Sequence, residues 1–131
     1  MPAPRLDSHP VHLGRGGRAV PQPAFTGLEW YGDYVARHAA DGAEGRLVTI
    51  HHFTESWDSW EMHPAGDELV CCLSGGMTLH QQHADGTTAT VLLQPGEYAV
   101  NPPGTWHTAD LDGPASALFV TAGMGTQHRA R

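Results

Sequence analysis

The chain has 131 residues, which suits one domain and is too short for two separate hydrophobic cores. Hydrophobic residues make up 40% of the sequence and charged residues 16%, which excludes a disordered chain, and no run reaches the roughly 20 apolar residues of a membrane-spanning helix. The net charge is −7 at pH 7 with histidines neutral, and the seven basic residues are all arginines. Because there is no basic patch, we expect no nucleic-acid or membrane partner, but a small-molecule ligand.

The first 45 residues are predicted to form an N-terminal arm and lead-in segment. Residues 1–24 are rich in Pro, Gly and Arg, which favours a loosely ordered arm. Residues 28–40 fit a short helix or an extended segment, and Gly32 weakens the helical alternative. The start of the chain lacks the apolar stretch of a secretory signal, so we expect a cytoplasmic protein.

The rest of the chain is predicted to be all-β. Short apolar runs over 46–122 are separated by Gly- and Pro-containing turns, and the gaps are too short for the helical crossovers of a parallel sheet. This pattern favours a sandwich or barrel, followed by a C-terminal tail over 123–131. The strands are predicted at residues 46–53, 56–63, 68–74, 77–83, 88–94, 98–101, 106–111 and 116–122.

Two histidines and two carboxylates have the spacing of a metal site. Glu61 and His63 are two residues apart, so they share one face of a strand. A tight turn brings Glu68 back on the next strand, and His107 arrives from a different hairpin. Nitrogen and oxygen donors without thiolate suit one divalent ion, namely Fe, Mn, Zn, Ni or Co. The two carboxylates would balance its charge and lower the cost of burying it.

Strand parity also predicts a largely apolar ligand pocket beside this site. Positions two apart on a strand point the same way, which assigns inward-facing neighbours to the metal ligands. Of the adjacent cysteines, Cys71 faces outward, and both are interpreted as free thiols because neighbouring cysteines do not easily close a disulfide. Trp60 and Met62 fall on the outer face, where exposed apolar groups would favour a homodimer. The predicted pocket residues are Trp57, Val70, Cys72 and Tyr98.

The stretch WEMHPAGDELVCCLSGG resembles the first motif of the cupin superfamily. That motif has His-x-His, then Glu after three or four residues, then Gly after six more. His63, Glu68 and Gly75 match it, while Glu61 stands where the first His would be. The second motif, Gly-x5-Pro-x-Gly-x2-His-x3-Asn, is matched except for its last position, which is Leu111. Its matching residues are Gly96, Pro102, Gly104 and His107.

The resemblance implies a double-stranded β-helix, or jelly-roll, barrel with a metal in its mouth, and homodimers are common among small cupins. It also implies a metal-dependent small-molecule enzyme of the dioxygenase, isomerase, cyclase or lyase type. Glu61 would then be a fourth ligand or a free general base beside the metal. The alternative function is a non-catalytic small-ligand-binding module. A metal-free structural dimer ranks last, because a buried cluster of carboxylates and histidines is costly without a counter-ion.

Overall fold

The computed structural model describes residues 2–131, which form eleven strands and one α-helix, with short 3-10 helices at Arg15–Gly17 and Ala39–Glu44. No helix in this range is both long enough and apolar enough to cross a membrane. The α-helix, α1, is Leu28–Arg37. The strands are β1 Val11–Gly14, β2 Arg18–Pro21, β3 Arg46–Phe53, β4 Ser59–Met62, β5 Glu68–Ser74, β6 Met77–Gln82, β7 Thr88–Leu93, β8 Tyr98–Asn101, β9 Trp106–Asp110, β10 Ala115–Thr121 and β11 Gln127–Ala130.

The strands form two antiparallel sheets. One has six strands in the order β2-β1-β3-β10-β5-β8, and the other has five in the order β11-β4-β9-β6-β7. The non-sequential order arises because strands close in sequence are assigned to opposite sheets, as in a Greek-key barrel. The eight strands predicted from the apolar runs are all present, and the predicted all-β architecture is confirmed.

The inner faces of the two sheets form the main hydrophobic core. Along β5, the fully buried Val70 and Cys72 alternate with partly exposed neighbours, which is the two-residue period of a strand with one face inward. Met77 and Leu79 of β6 meet them from the other sheet, and both are 0% exposed. Burial of a side chain of this size contributes about 1.5–3 kcal/mol. This packed core holds the two sheets together.

The two termini are more ordered than the sequence indicates. The prediction of a loosely ordered arm over 1–24 is wrong where β1 and β2 form, because β1 pairs with both β2 and β3. This pairing satisfies backbone groups that β3 would otherwise expose at a sheet edge. Of the two alternatives for the following segment, the helix is correct, and Trp30 and Tyr34 of α1 pack with Leu47. The C-terminal segment supplies β11, which pairs with β4.

Strand register brings the predicted metal ligands into line. Glu61 on β4 lies directly opposite His107 on β9. Glu68, the first residue of β5, lies opposite Asn101 on β8 and Thr121 on β10. Residues directly opposite each other in antiparallel strands project to the same face of the sheet. The register therefore directs all five side chains to one end of the barrel interior.

Candidate metal centre

The structure brings the four predicted metal ligands together. Ligand atoms of Glu61, His63 and His107 lie within 4.8 Å of one another. Glu68 contacts both imidazoles, with Oε2 3.0 Å from Nε2 of His63 and Oε1 3.1 Å from Nε2 of His107. His107, Glu68 and His63 are only 0%, 3% and 4% exposed, whereas the side chain of Glu61 is 30% exposed. The cluster is therefore closed on three sides, and Glu61 lies on its open side.

The Nε2 atoms of both histidines lack hydrogen-bond partners among the described residues. They are close to Glu68 in distance, but the angles are not those of a hydrogen bond, so both nitrogens count as buried and unpaired. Buried polar atoms in proteins are nearly always paired, and an exception needs an explanation. A cation held by the two nitrogens and the carboxylate would explain the arrangement, because it would give both unpaired nitrogens a partner.

The carboxylate of Glu68 is held by two further side chains. Asn101 Nδ2 donates to Oε1 at 3.1 Å, and Thr121 Oγ1 donates to Oε2 at 2.7 Å. Gln81 Nε2 in turn donates to Asn101 Oδ1 at 2.7 Å, which orients the Asn101 amide. Burial alone would raise the pKa of Glu68, but the imidazoles of His107 and His63 outweigh it and hold that pKa below its usual range. Glu68 is therefore a fixed, ionised oxygen donor.

The pKa of His63 responds to the same carboxylate. Burial lowers it, but the adjacent Glu68 raises it more, so that the pKa lies above its ordinary value. The negative charge of Glu68 thus favours a positive charge at Nε2 of His63. A proton can supply that charge in the metal-free protein, and a metal ion can replace it. Metal binding at this position would be coupled to proton release.

A second group of potential ligands, His12, His38 and Asp41, has the spacing of a metal site but is already satisfied internally. His12 Nε2 lies 2.6 Å from Asp41, and its Nδ1 lies 2.6 Å from Tyr34 Oη. His38 Nε2 lies 2.8 Å from Gln22 Nε2. A metal here would have to break these hydrogen bonds, whereas the Nε2 atoms of the first cluster are unpaired. Hydrogen bonding therefore distinguishes the two clusters and favours the one in the barrel.

One tryptophan lies beside the centre, and one tyrosine is affected by its charges. The Trp57 ring lies 6.1 Å from that of His107, and its buried Nε1 has no hydrogen-bond partner within residues 2–131. Burial raises the pKa of Tyr31 to about 12, and the charges of Glu61 and Glu68 add to the rise. The charges of the two carboxylates therefore act on Tyr31 of α1. The N-terminal helix thus contributes to the environment of the site.

The predicted pocket residues are only partly brought together. Trp57 packs against the core beside the site, as expected, whereas Val70 and Cys72 point inward but are fully enclosed in the packed core. The prediction for Tyr98 is wrong, because its side chain lies outside the barrel and is 66% exposed. In β8 the inward positions are the small Ala99 and the polar Asn101. The larger apolar residues of this strand face outward.

The contacts with Glu68 and His63 include residues that sequence reasoning missed. Asn101 and Thr121 stabilise Glu68, and Thr126 Oγ1 lies 2.7 Å from Nδ1 of His63. The sequence did contain a signal for Asn101. It is a polar residue at the end of a short strand, directly before a Pro-Pro-Gly turn, where an apolar core would have no use for it. Nothing in the sequence alone indicates that Thr126 folds back to His63.

Comparisons with known proteins identify the fold. No family model matches the chain, and no curated protein matches its sequence. Among solved structures, an oxalate oxidase superposes with a TM-score of 0.57 at 17% identity, covering 70% of this chain and 50% of that chain. A Klebsiella pneumoniae protein with a double-stranded β-helix domain superposes with a TM-score of 0.52 at 22% identity, covering 65% of this chain and 73% of that chain.

A hydroquinone 1,2-dioxygenase in complex with Cd²⁺ and 4-hydroxybenzonitrile gives a TM-score of 0.51 at 17% identity, covering 58% of this chain and 56% of that chain. This chain thus spans about half the length of the two enzyme structures. At these identities the likeness concerns the fold, and it agrees with the two antiparallel sheets of this chain. The chain has a double-stranded β-helix fold.

Proposed function

We propose that this protein is a metal-dependent small-molecule enzyme of the cupin superfamily. One divalent ion would be held by His63, Glu68 and His107, with Glu61 as a fourth ligand or a free base. The observation that carries this proposal is the pair of buried, unpaired Nε2 atoms that face one carboxylate. Two neutral imidazoles and two ionised carboxylates form a site of charge −2, which neutralises a divalent ion.

The donor set supports Fe, Mn, Zn, Ni or Co rather than a soft ion, since imidazole and carboxylate are its only ligand types. When bound, such an ion supplies Lewis-acid chemistry, polarising an oxygen of the substrate. Glu61 would accept a proton from a substrate on the open side of the site. His128 Nε2 lies 3.1 Å from Glu61 Oε1 and holds that carboxylate in place. Candidate reactions are those of dioxygenases, isomerases, cyclases and lyases, and the oxalate oxidase and hydroquinone dioxygenase structures support including oxygen-dependent chemistry.

The alternative is a non-catalytic module that binds a small ligand. The small exposed area of the cluster favours it, because three of the four donors are at most 4% exposed and a substrate would need to reach the ion past Glu61. A binding module would hold the metal and a ligand without turnover. The two functions share the same metal site and differ only in whether a bound ligand is converted.

Metal content is the direct test of the proposal. Elemental mass spectrometry of the untagged protein, purified without chelators, should give about one equivalent of a divalent metal per chain. His63→Ala and His107→Ala should each lose most of it. His80→Ala is the matched control, because the His80 ring bonds to Asp110 at 2.8 Å and to Thr90 at 3.1 Å rather than to any of the four ligands. Equal metal content in all three variants would refute the site.

We further propose a cytoplasmic homodimer in which residues 46–122 form the barrel that carries the site, with 1–45 and 123–131 as additions. The exposed Leu73, Tyr98 and Val100 on neighbouring strands support an interface on the six-stranded sheet. Trp60 and Met62 are the interface residues expected from the sequence, but the Trp60 ring lies only 5.4 Å from the guanidinium of Arg129 of the same chain. Analytical ultracentrifugation of wild type and of Tyr98→Asp tests this interface, and an unchanged dimer in the variant would exclude it.

A further inference from the structure

The C-terminal segment reaches one of the metal-binding histidines through a single hydroxyl group. Residues 123–126 form a tight turn in which the Thr126 backbone N–H donates to Gly123 O at 3.2 Å. The Thr126 hydroxyl also donates to Gly123 O, at 2.9 Å. The same hydroxyl lies 2.7 Å from Nδ1 of His63. One side chain therefore connects the turn to the metal centre.

The directions of these hydrogen bonds determine the tautomer of His63. A hydroxyl has one proton, and Thr126 uses it for the carbonyl oxygen of Gly123. Thr126 Oγ1 can then only accept from His63, so Nδ1 of His63 carries the hydrogen. In the neutral ring the lone pair is left on Nε2, the atom that faces Glu68 at 3.0 Å. Thr126 thus leaves available the one nitrogen that the proposed site requires.

His107 has the same arrangement by a different means. Its Nδ1 lies 3.4 Å from the backbone oxygen of Thr105, which can only accept a hydrogen bond. Nδ1 of His107 is therefore also the donor, and its Nε2 faces Glu68. The partner of His107 is a backbone oxygen two residues earlier in the chain, whereas the partner of His63 is a side chain 63 residues away in the sequence. Only the His63 contact depends on the C-terminal segment.

Packing fixes the position of the turn. Gly125 has a φ of +77°, and a Cβ atom there would lie 3.3 Å from Cγ of Pro64, the residue after His63. Directly after the turn, β11 pairs with β4, placing Gln127 opposite Met62 and His128 opposite Glu61. The turn is thus held between the loop after His63 and the strand that carries Glu61.

We propose that Thr126 is a positioning residue of the metal centre, which fixes His63 in the Nδ1–H tautomer and so presents Nε2 to the ion. The inference rests on the proposed function for its effect on metal binding, but its effect on the tautomer does not depend on a metal. Loss of such a hydrogen bond to a metal-binding histidine typically lowers metal affinity about 10–100-fold.

The test compares Thr126→Val, which removes the hydroxyl, with Thr126→Ser, which keeps it. The matched control is Thr90→Val, because Thr90 Oγ1 lies 3.1 Å from Nδ1 of His80, a threonine–histidine pair outside the site. One readout is the tautomer of His63, from ring nitrogen chemical shifts at a pH where the imidazole is neutral, in metal-free protein that also carries Glu68→Gln. This background is used because the Glu68 carboxylate, 3.0 Å away, would itself hold a proton on Nε2. The other is Zn²⁺ affinity, from competition with a chromophoric chelator.

We expect wild type, Thr126→Ser and Thr90→Val to show the Nδ1–H tautomer of His63 and the same Zn²⁺ affinity. Thr126→Val should populate both tautomers and bind Zn²⁺ about 10–100-fold more weakly. An unchanged tautomer in Thr126→Val overturns the inference, whether or not affinity falls, since a fall alone would reflect a damaged turn. If no variant binds Zn²⁺ while the tautomer still changes in Thr126→Val, the proposed function fails and the positioning role stands.

Discussion

Replacement of Asn101 by alanine should weaken both the fold and the metal centre. Asn101 is 1% exposed, donates to the Glu68 carboxylate and accepts from Gln81. A hydrogen bond to a charged group contributes about 1.5–3 kcal/mol and a neutral one about 0.5–1.5 kcal/mol. We therefore expect Asn101→Ala to lower the free energy of unfolding by about 2–4 kcal/mol. Urea denaturation of the metal-free protein, followed by tryptophan fluorescence, measures this loss.

Two further variants separate the hydrogen bonds from the volume of the side chain. Asn101→Asp keeps the shape and still accepts from Gln81, but it cannot donate to Glu68 and it adds a like charge. Near neutral pH it should therefore lower the free energy of unfolding by at least as much as Asn101→Ala. In a double-mutant cycle with Gln81→Ala, the losses should be less than additive by more than about 0.5 kcal/mol, because both residues belong to one chain of hydrogen bonds. A loss below about 0.5 kcal/mol in Asn101→Ala would show that these bonds do not hold Glu68.

Three other perturbations follow from the structure. Gly75→Ala should prevent normal folding, because Gly75 has a φ of +72° and a Cβ there would lie 2.2 Å from Pro114 O; a native circular dichroism spectrum and urea midpoint would contradict this. Burial raises the pKa of Tyr34 to about 12, as it does for Tyr31, whereas an unfolded tyrosine ionises near 10. The folded state keeps these protons longer, so stability should fall as pH rises from 10 to 12, and a urea midpoint constant over that range would refute the assignment. Burial also raises the pKa of the Cys72 thiol, so iodoacetamide should modify only one of the two cysteines in the native protein and both in urea, as counted by intact mass.

The parts of the fold that the sequence predicts are those in which local pattern and tertiary environment agree. Strand β5 shows this, because its alternating residues match its buried and exposed faces. Strands β1 and β11 were missed because their sequences, VHLG and QHRA, have no strong strand preference and pair only because a neighbouring strand offers an edge. The order of these segments is a tertiary effect, which local sequence does not record.

Some residues of the candidate site were also predictable from the sequence, and others were not. Its four central side chains were predictable because two-residue spacing and turn position determine which way a strand residue points. Tyr98 was expected on the inner face of β8, whereas the inward residues of that strand are Ala99 and Asn101. Next to a buried carboxylate the inner face needs a hydrogen-bond donor, and that requirement outweighs the usual preference for apolar residues inside. The surrounding partners depend on long-range contacts that only the folded chain shows.

The pairing of Glu61 with His107 has a consequence for how the chain selects its fold. They are the single pair of residues in register between β4 and β9, and each is a proposed ligand. A slip of one residue between these strands would turn Glu61 to the outside of the barrel and separate the donors. An ion bound at this centre would thus add its binding free energy to the correctly aligned barrel alone. The metal would then favour the correct strand register during folding, because it stabilises that register over misaligned sheets that bury a similar amount of apolar surface.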